Sequence, residues 1–268
     1  MTIQTLYNAS TGMSAMQTKL DVIANNLANV QTTAFKGDRL NFEDLLYQQE
    51  KLPGALDAAG QRTPTGIETG TGVRVQSTQT NQTQGTMQST GNQLDLAIQG
   101  NGFFRVVDPS GNMMYSRAGN FSQNANGLIV LSSANIGRVL QPQMTIPKEA
   151  IAISVAPDGT VSAQMPNQST LQTIGQIELS TFINPGGLLK MGENLYQETD
   201  ASGTVQNTTP NTNGVGSIVQ GSLEASNVEP VQQLIDLITT QRSFEMNSQV
   251  IQAGDQMLED IVTLARNG

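Results

Sequence analysis

The stretch LYNASTGMSAMQTKLDVIANNLANV, residues 6–30, decides the fold. Leu6, Met13, Leu20 and Leu27 recur every seven residues, and Ala9, Met16, Ile23 and Val30 fill the alternating three- and four-residue steps of a coiled-coil seam. The spacing predicts one helix from Ile3 to about Val30, roughly 40 Å long at 1.5 Å per residue. Burying its seam returns on the order of 10 kcal/mol. Ordering its backbone costs more, at about 1–2 kcal/mol per residue. Such a helix needs partners on more than one side, because isolated helices are marginal in water.

The same period returns at the other end in Leu237, Phe244, Ile251 and Leu258, with Val250, Met257 and Leu264 as a second row beside them. This apolar stripe runs from Leu234 through Ile261 to about Ala265 and predicts a helix from near Val231, with Pro230 in its first turn and Ser226 and Asn227 as caps. Apolar residues at this spacing also make ordinary intramolecular core. The double row, however, is wider than one partner helix covers. A chain with both ends built this way reads as an assembly subunit rather than an enzyme.

Between the ends the pattern changes. Asn25, Asn26 and Asn29 are weak helix formers that mark a joint, either by hydrogen bonding across subunits or by simple fraying. Asn41 to Gln48, with Phe42, Leu45 and Leu46, is expected as a short helix or turn. Pro53, Gly54, Gly60, Pro64, Gly66, Gly70 and Gly72 make 51–72 an extended or hairpin-like excursion. From Val73 to about Ser217 turn signals recur between short apolar runs, and the alternation Ile151, Ile153, Val155 against Val161, Ala163, Met165 predicts a hairpin closed by Asp158-Gly159. The fold class is therefore α+β. A discontinuous helical coiled-coil domain (1–30 with 228–268) leads through a linker and extended segment (31–80) to a central mainly-β domain (81–217) and a return linker (218–227).

Composition narrows the function. Only 37% of residues are hydrophobic and 4% aromatic, with no Trp, so the rigid side chains that anchor cores and pockets are scarce. The net charge of -9, with 13 scattered Lys and Arg residues, offers no basic patch for phosphates, so no nucleic acid is expected. No apolar run approaches the roughly 18 residues needed to enter a bilayer, so no membrane insertion is expected. Lys19 is the first charge, which does not fit a secretory signal; export by another route is the expectation. With neither Cys nor His, disulfides, thiol nucleophiles, Cys/His zinc sites and imidazole triads are excluded.

Other motifs have plain readings. Gly70, Gly72, Gly100 and Gly102 could suggest a phosphate loop, but Arg105 stands where a dinucleotide fingerprint needs Gly, and no Gly-Lys-Ser/Thr follows. A tight turn into a strand Phe103 to Val107 accounts for them better. Glu43, Asp44, Glu178, Glu193 and Glu198 could supply the carboxylates of a glycosidase, yet sugar clefts use aromatic platforms, and a solvated surface is the better account. Asp158 and Asp200 sit in turns without the carboxylate series of a calcium loop. Neither cofactor nor metal nor catalytic residue is expected.

ANNLANVQTTAFK (24–36), LDLAIQGNGFFRV (94–106), and GSLEASNVEP (221–230) with TTQRSFEMNSQVI (239–251) resemble, in order, the signatures of the bacterial flagellar rod and hook protein family. FEDLLYQ (42–48), Pro53-Gly54 and GTGVRV (70–75) resemble its distal-rod branch more than its proximal-rod or longer hook members. Ala34 stands where the family commonly has Gly, which argues against a positive φ there. Ser243-Phe244 replaces a more usual Ala-Tyr. The resemblance implies a homo-oligomeric helical tube in the basal body, crossing the periplasm and cell wall. It would touch proximal rod proteins, the hook protein and the envelope rings, transmit torque, enclose a channel, and be exported unfolded without a cleaved signal. Its implied assembly residues are Leu6, Met13, Met16, Leu20, Ile23, Asn25, Asn26, Leu27, Asn29 and Val30, with Leu234, Leu237, Phe244, Val250, Ile251, Met257, Leu258 and Ile261. A cell-wall hydrolase and a secreted coiled-coil adhesin are the rival readings from other classes.

Overall fold

The computed structural model describes residues 2–54, 61–62, 64–132, 136–166, 170–212 and 214–267. It falls into two units, each assembled from separate parts of the chain: Met1–Ala28, Asp38–Gln79 and Glu229–Gly268 form one, and Asn29–Gly37 with Thr80–Val228 the other. The fold is mixed helix and strand, with one helix at each end.

In the first unit, helix α1 (Thr2–Ala28) packs against helix α2 (Pro230–Asn267). Pro230 opens α2 as its spacing predicts, since its missing N–H costs nothing in the first turn. Ser226 and Asn227 are not its caps, however. The Ser226 hydroxyl accepts the Val228 N–H at 3.2 Å, and Asn227 is used elsewhere. The rest of this unit is a two-stranded ribbon. Asp38–Asp44 pairs with Val73–Thr80, and Tyr47–Lys51 pairs antiparallel with Ile67–Gly70. The side-chain pairs Arg39–Gln79, Asn41–Ser77 and Glu43–Arg74 give the first pair the same antiparallel sense. Asn41 to Gln48, expected as a helix or turn, is thus mostly strand. Leu40 and Phe42 alternate with polar Arg39, Asn41 and Glu43, and that period of two decides the local structure. The 51–72 excursion is the outer part of this hairpin, although 55–60 and 63 lie outside the described residues.

The second unit holds the well-packed core. Its main sheet runs Leu189–Gly192, Leu195–Gln197, Met113–Ser116, Phe103–Val107, Val139–Gln141, Ile129–Leu131, Phe121–Gln123, with Leu179–Thr181 also on Phe103–Val107 and Gln206–Thr208 beyond it. Adjacent residues of a strand face opposite ways, so Phe104 enters a cluster with Val106, Leu140, Leu179 and Ile218 while Phe103 enters an aromatic cluster with Tyr115, Phe182 and Tyr196. Ring centroids there lie 4.8 to 5.8 Å apart, edge to face. The Asp158-Gly159 hairpin forms as its alternation predicts, pairing Ile153 with Ala163 and Val155 with Val161. Gly100 and Gly102, at φ 110 and 143, make the expected turn into Phe103–Val107. Residues 218–227, expected as a return linker, carry most of the strand Ser217–Gln220 and all of Ser222–Glu224, paired with Leu96–Gln99 and Met87–Ser89.

Candidate assembly surface

Three contacts fix the helix pair. Asn26 Nδ2 donates to Gln233 Oε1 at 3.2 Å, and methyl groups built on Gly12 and Gly254 would lie 2.9 Å from Asn247 Nδ2 and 2.6 Å from Leu6 Cδ2. One member rises along α1 as the other falls along α2, so the helices run antiparallel in one register. Thr240, at 2% exposure, and Gly254 are buried on this face of α2, with Leu237, Phe244, Asn247, Ile251 and Leu258 half-buried around them, stepping by three and four. On α1, Ala9, Gly12, Ala15, Ile23 and Asn26 are buried, and Leu6, Met13, Met16, Leu20 and Leu27 are half-buried.

Of the residues the spacing picks out, Leu6, Ile23, Leu237, Phe244, Ile251 and Leu258 therefore serve the pair within one chain, at least in part. Leu234, Val250, Met257 and Ile261 do not. They lie with Val231, Ile235, Ile238, Met246 and Leu264 on an exposed stripe centred roughly 140° round the helix from the pairing face at 3.6 residues per turn. Asn25 is exposed, and Asn29 and Val30 are half-buried. Asn26 is 3% exposed and spent inside the chain. Its Oδ1 accepts the Asp38 N–H at 2.9 Å and its Nδ2 donates to the Asp38 carbonyl at 2.8 Å as well as to Gln233. Both ends of its amide are thus engaged within the chain.

The burial of the first unit is what sets it apart. Among the described residues its buried apolar side chains are Ala9, Ala15 and Ile23, whereas it carries 15 of the 22 exposed large apolar ones. A two-stranded ribbon is itself marginal alone, and Leu46 (89% exposed), Tyr47, Leu52 and Ile67 stand out from this one.

A feature that the spacing did not single out lies in the second unit, where the three signature segments meet. Lys36 closes the first, Gly100 and Gly102 lie in the second, and Glu224 lies in the third. Lys36 Nζ and Arg117 Nε bind the two Glu224 oxygens at 2.5 and 2.7 Å, all three side chains being almost fully buried. Lys36 also donates to the Thr83 carbonyl, and Arg117 to the carbonyls of Ile98, Gly100 and Gly102. Burial pushes the Glu224 carboxyl up, but the Arg117 charge and the hydrogen bonds from Lys36 and Arg117 outweigh it and hold the group below the ordinary range. Backbone bonds reinforce this closure: the Ala34 N–H donates to the Glu224 carbonyl at 2.8 Å, and the Gly37 N–H to Asn227 Oδ1 at 2.9 Å. The segments leading out of α1 and into α2 are thereby tied together. Its signal in the sequence was a lone charge inside each of two otherwise uncharged or apolar runs. Ala34 sits in this knot at φ 56, so the expectation against a positive φ is overturned: burial of its methyl and its bond to Glu224 hold the left-handed conformation.

The surface carboxylates find basic or backbone partners: Glu43 with Arg74, Glu178 with Arg105, Glu193 with Arg138, and Glu198 with the Val205 N–H. Asp158 accepts the Thr160 N–H at 3.0 Å inside its turn.

Residues 6–36 match the model described as flagella basal body rod protein, 97–163 that of the flagellar hook protein FlgE/F/G D1 domain, and 219–264 that of the flagellar basal body rod FlgEFG protein C-terminal region. The flagellar basal-body rod protein FlgG of Caulobacter vibrioides is 44% identical over 96% of this chain and 97% of its own length. That of Buchnera aphidicola from Schizaphis graminum is 42% identical over 98% and 100%, and that of Bacillus subtilis 36% over 98% and 100%. The chain belongs to the flagellar rod and hook protein family and is a structural protein, not an enzyme. Within that family it is most like the basal-body rod protein FlgG, and its place is the flagellar basal body.

Proposed function

We propose that copies of this chain polymerise into the distal rod, a tubular drive shaft in which α1 and α2 form coiled-coil layers around a central channel. The observation that carries this reading is the exposed apolar stripe of α2, set on the side away from α1 in a unit with almost no core of its own. Covering its nine large side chains, most about half exposed, returns on the order of 10 kcal/mol at about 1 kcal/mol each. That compares with the conformational entropy of ordering a long helix only when several copies contribute.

Leu234, Val250, Met257 and Ile261 are the α2 residues assigned to contacts between copies. Met13, Met16, Leu20, Leu27, Asn25, Asn29 and Val30 are the corresponding positions of the N-terminal segment, while Leu6, Ile23, Asn26, Leu237, Phe244, Ile251 and Leu258 supply the pair that docks. The ribbon, including 51–72, reaches along a neighbouring copy and stiffens the tube; its exposed Leu46, Tyr47, Leu52 and Ile67 motivate this. Proximal rod proteins, the hook protein and the envelope rings are the expected neighbours as the shaft crosses the periplasm and cell wall. Export as an unfolded chain without a cleaved signal fits helices that gain order only on docking.

Electron microscopy of the purified chain tests the proposal. Tubes are expected from the intact chain and none after removal of residues 1–30. A small discrete oligomer from the intact chain would favour the adhesin reading. Tubes lacking 51–72 are expected to bend more easily, and unchanged stiffness would remove the ribbon's assigned role.

A further inference from the structure

A cavity of about 330 Å³ in the β unit opens on the Lys36–Glu224–Arg117 knot. Two cations share one carboxylate there, so the knot carries one uncompensated positive charge. Its donors are not exhausted either. Lys36 gives two of its three N–H groups to Thr83 and Glu224, and Arg117 gives four of its five to Glu224 and the carbonyls of Ile98, Gly100 and Gly102. Both cations line the cavity, together with the amides of Gln82 and Asn101 and the apolar walls of Phe182 and Ile183. No carboxylate lines it among the described residues.

We infer that this cavity is a carboxylate-binding site, in which the spare N–H groups of Lys36 and Arg117 grip the two oxygens and Phe182 and Ile183 hold the attached carbon chain. The cations are oriented before the ligand arrives, because Glu224 and four backbone carbonyls already fix them, so little order is lost on binding. Burial pushes the Lys36 ammonium below the ordinary lysine range despite Glu224, with a smaller contribution from the Arg117 charge beside it. The volume exceeds what acetate needs and suits an Asp or Glu side chain with its backbone. A chain of net charge -9 presents such groups in abundance on any neighbouring copy. That source rests on the tube proposal, whereas carboxylate binding by the single chain does not.

The test is an NMR titration of the dilute full-length chain with sodium acetate, and separately with a capped Gly-Glu-Gly peptide, against sodium chloride at equal ionic strength. Saturable shifts at Asn101, Gly102 and the Arg117 Nε–H are expected with both carboxylates and not with chloride. The double variant Gln82→Leu, Asn101→Leu should weaken them about tenfold, the loss of one or two hydrogen bonds. Gln82→Glu, which supplies a carboxylate in place, should abolish acetate binding while the β unit stays folded. Shifts that grow linearly, spread over the surface, match those in chloride or ignore Gln82→Glu would overturn the assignment. Tubes assembled with and without acetate separate the two sources. Acetate that slows assembly of the parent chain and not of Gln82→Glu indicates a neighbour's carboxylate, and acetate retained in finished tubes indicates a free one.

Discussion

Ala34 holds a left-handed backbone with its methyl in the core, a conformation that costs a non-glycine residue about 1–2 kcal/mol. Ala34→Gly trades that strain against a lost methyl and a freer unfolded chain, so its thermal stability should stay within about 1 kcal/mol of the parent. Ala34→Val, branched at Cβ and buried at the same φ, should lose more than about 2 kcal/mol in a urea melt of the β unit. Glu224 is the more sensitive residue. Glu224→Gln leaves two buried cations without a counter-charge and should cost about 3–5 kcal/mol. The sign of the pH dependence follows from the lowered folded pKa of Glu224. The unfolded chain takes up the proton first, so the stabilisation is full above the ordinary value of 4.5 and drains away as pH falls through the folded value. Lys36 is also lowered, and for a cation that means stability rising with pH toward its ordinary 10.5. Acid titration followed by near-ultraviolet circular dichroism should therefore show a steep loss in the parent chain and a flatter one in Glu224→Gln.

The helix pair shows what spacing can and cannot disclose about an element. Leu237, Phe244, Ile251 and Leu258 were legible as a seam because large apolar residues at three- and four-residue steps share one face. Thr240, Asn247, Gly12 and Gly254 were not, because small and polar residues carry no apolar signal. Yet the glycines set how closely the helices approach. Gly254→Val should drive a branched side chain into Leu6, costing the pair about 1–3 kcal/mol, visible as reduced helix content and slower assembly with an unchanged β-unit melt. At Asn41 to Gln48 Phe42, Leu45 and Leu46 also fit a helical step, while the alternation that makes the ribbon starts earlier, at Leu40. The Lys36–Glu224–Arg117 knot is hidden from spacing for a different reason: the three residues are far apart in the chain, and only the fold brings them together.

In the whole molecule, labour is divided between a β unit with its own core and a helical unit that waits for company. Ile238→Asp tests the second half. It touches an exposed side chain, so the dilute chain should melt as before, whereas burying the new charge between copies should raise the critical concentration for tubes by at least about a hundredfold. Hydrogen exchange on the dilute chain, followed by the same measurement on assembled tubes, is the most direct test of the central claim. Fast exchange is expected along α1 and α2 in the single chain, slow exchange in the strands around Phe104 and Leu179, and protection of both helices only in tubes. Helices as protected as those strands in the single chain would contradict it.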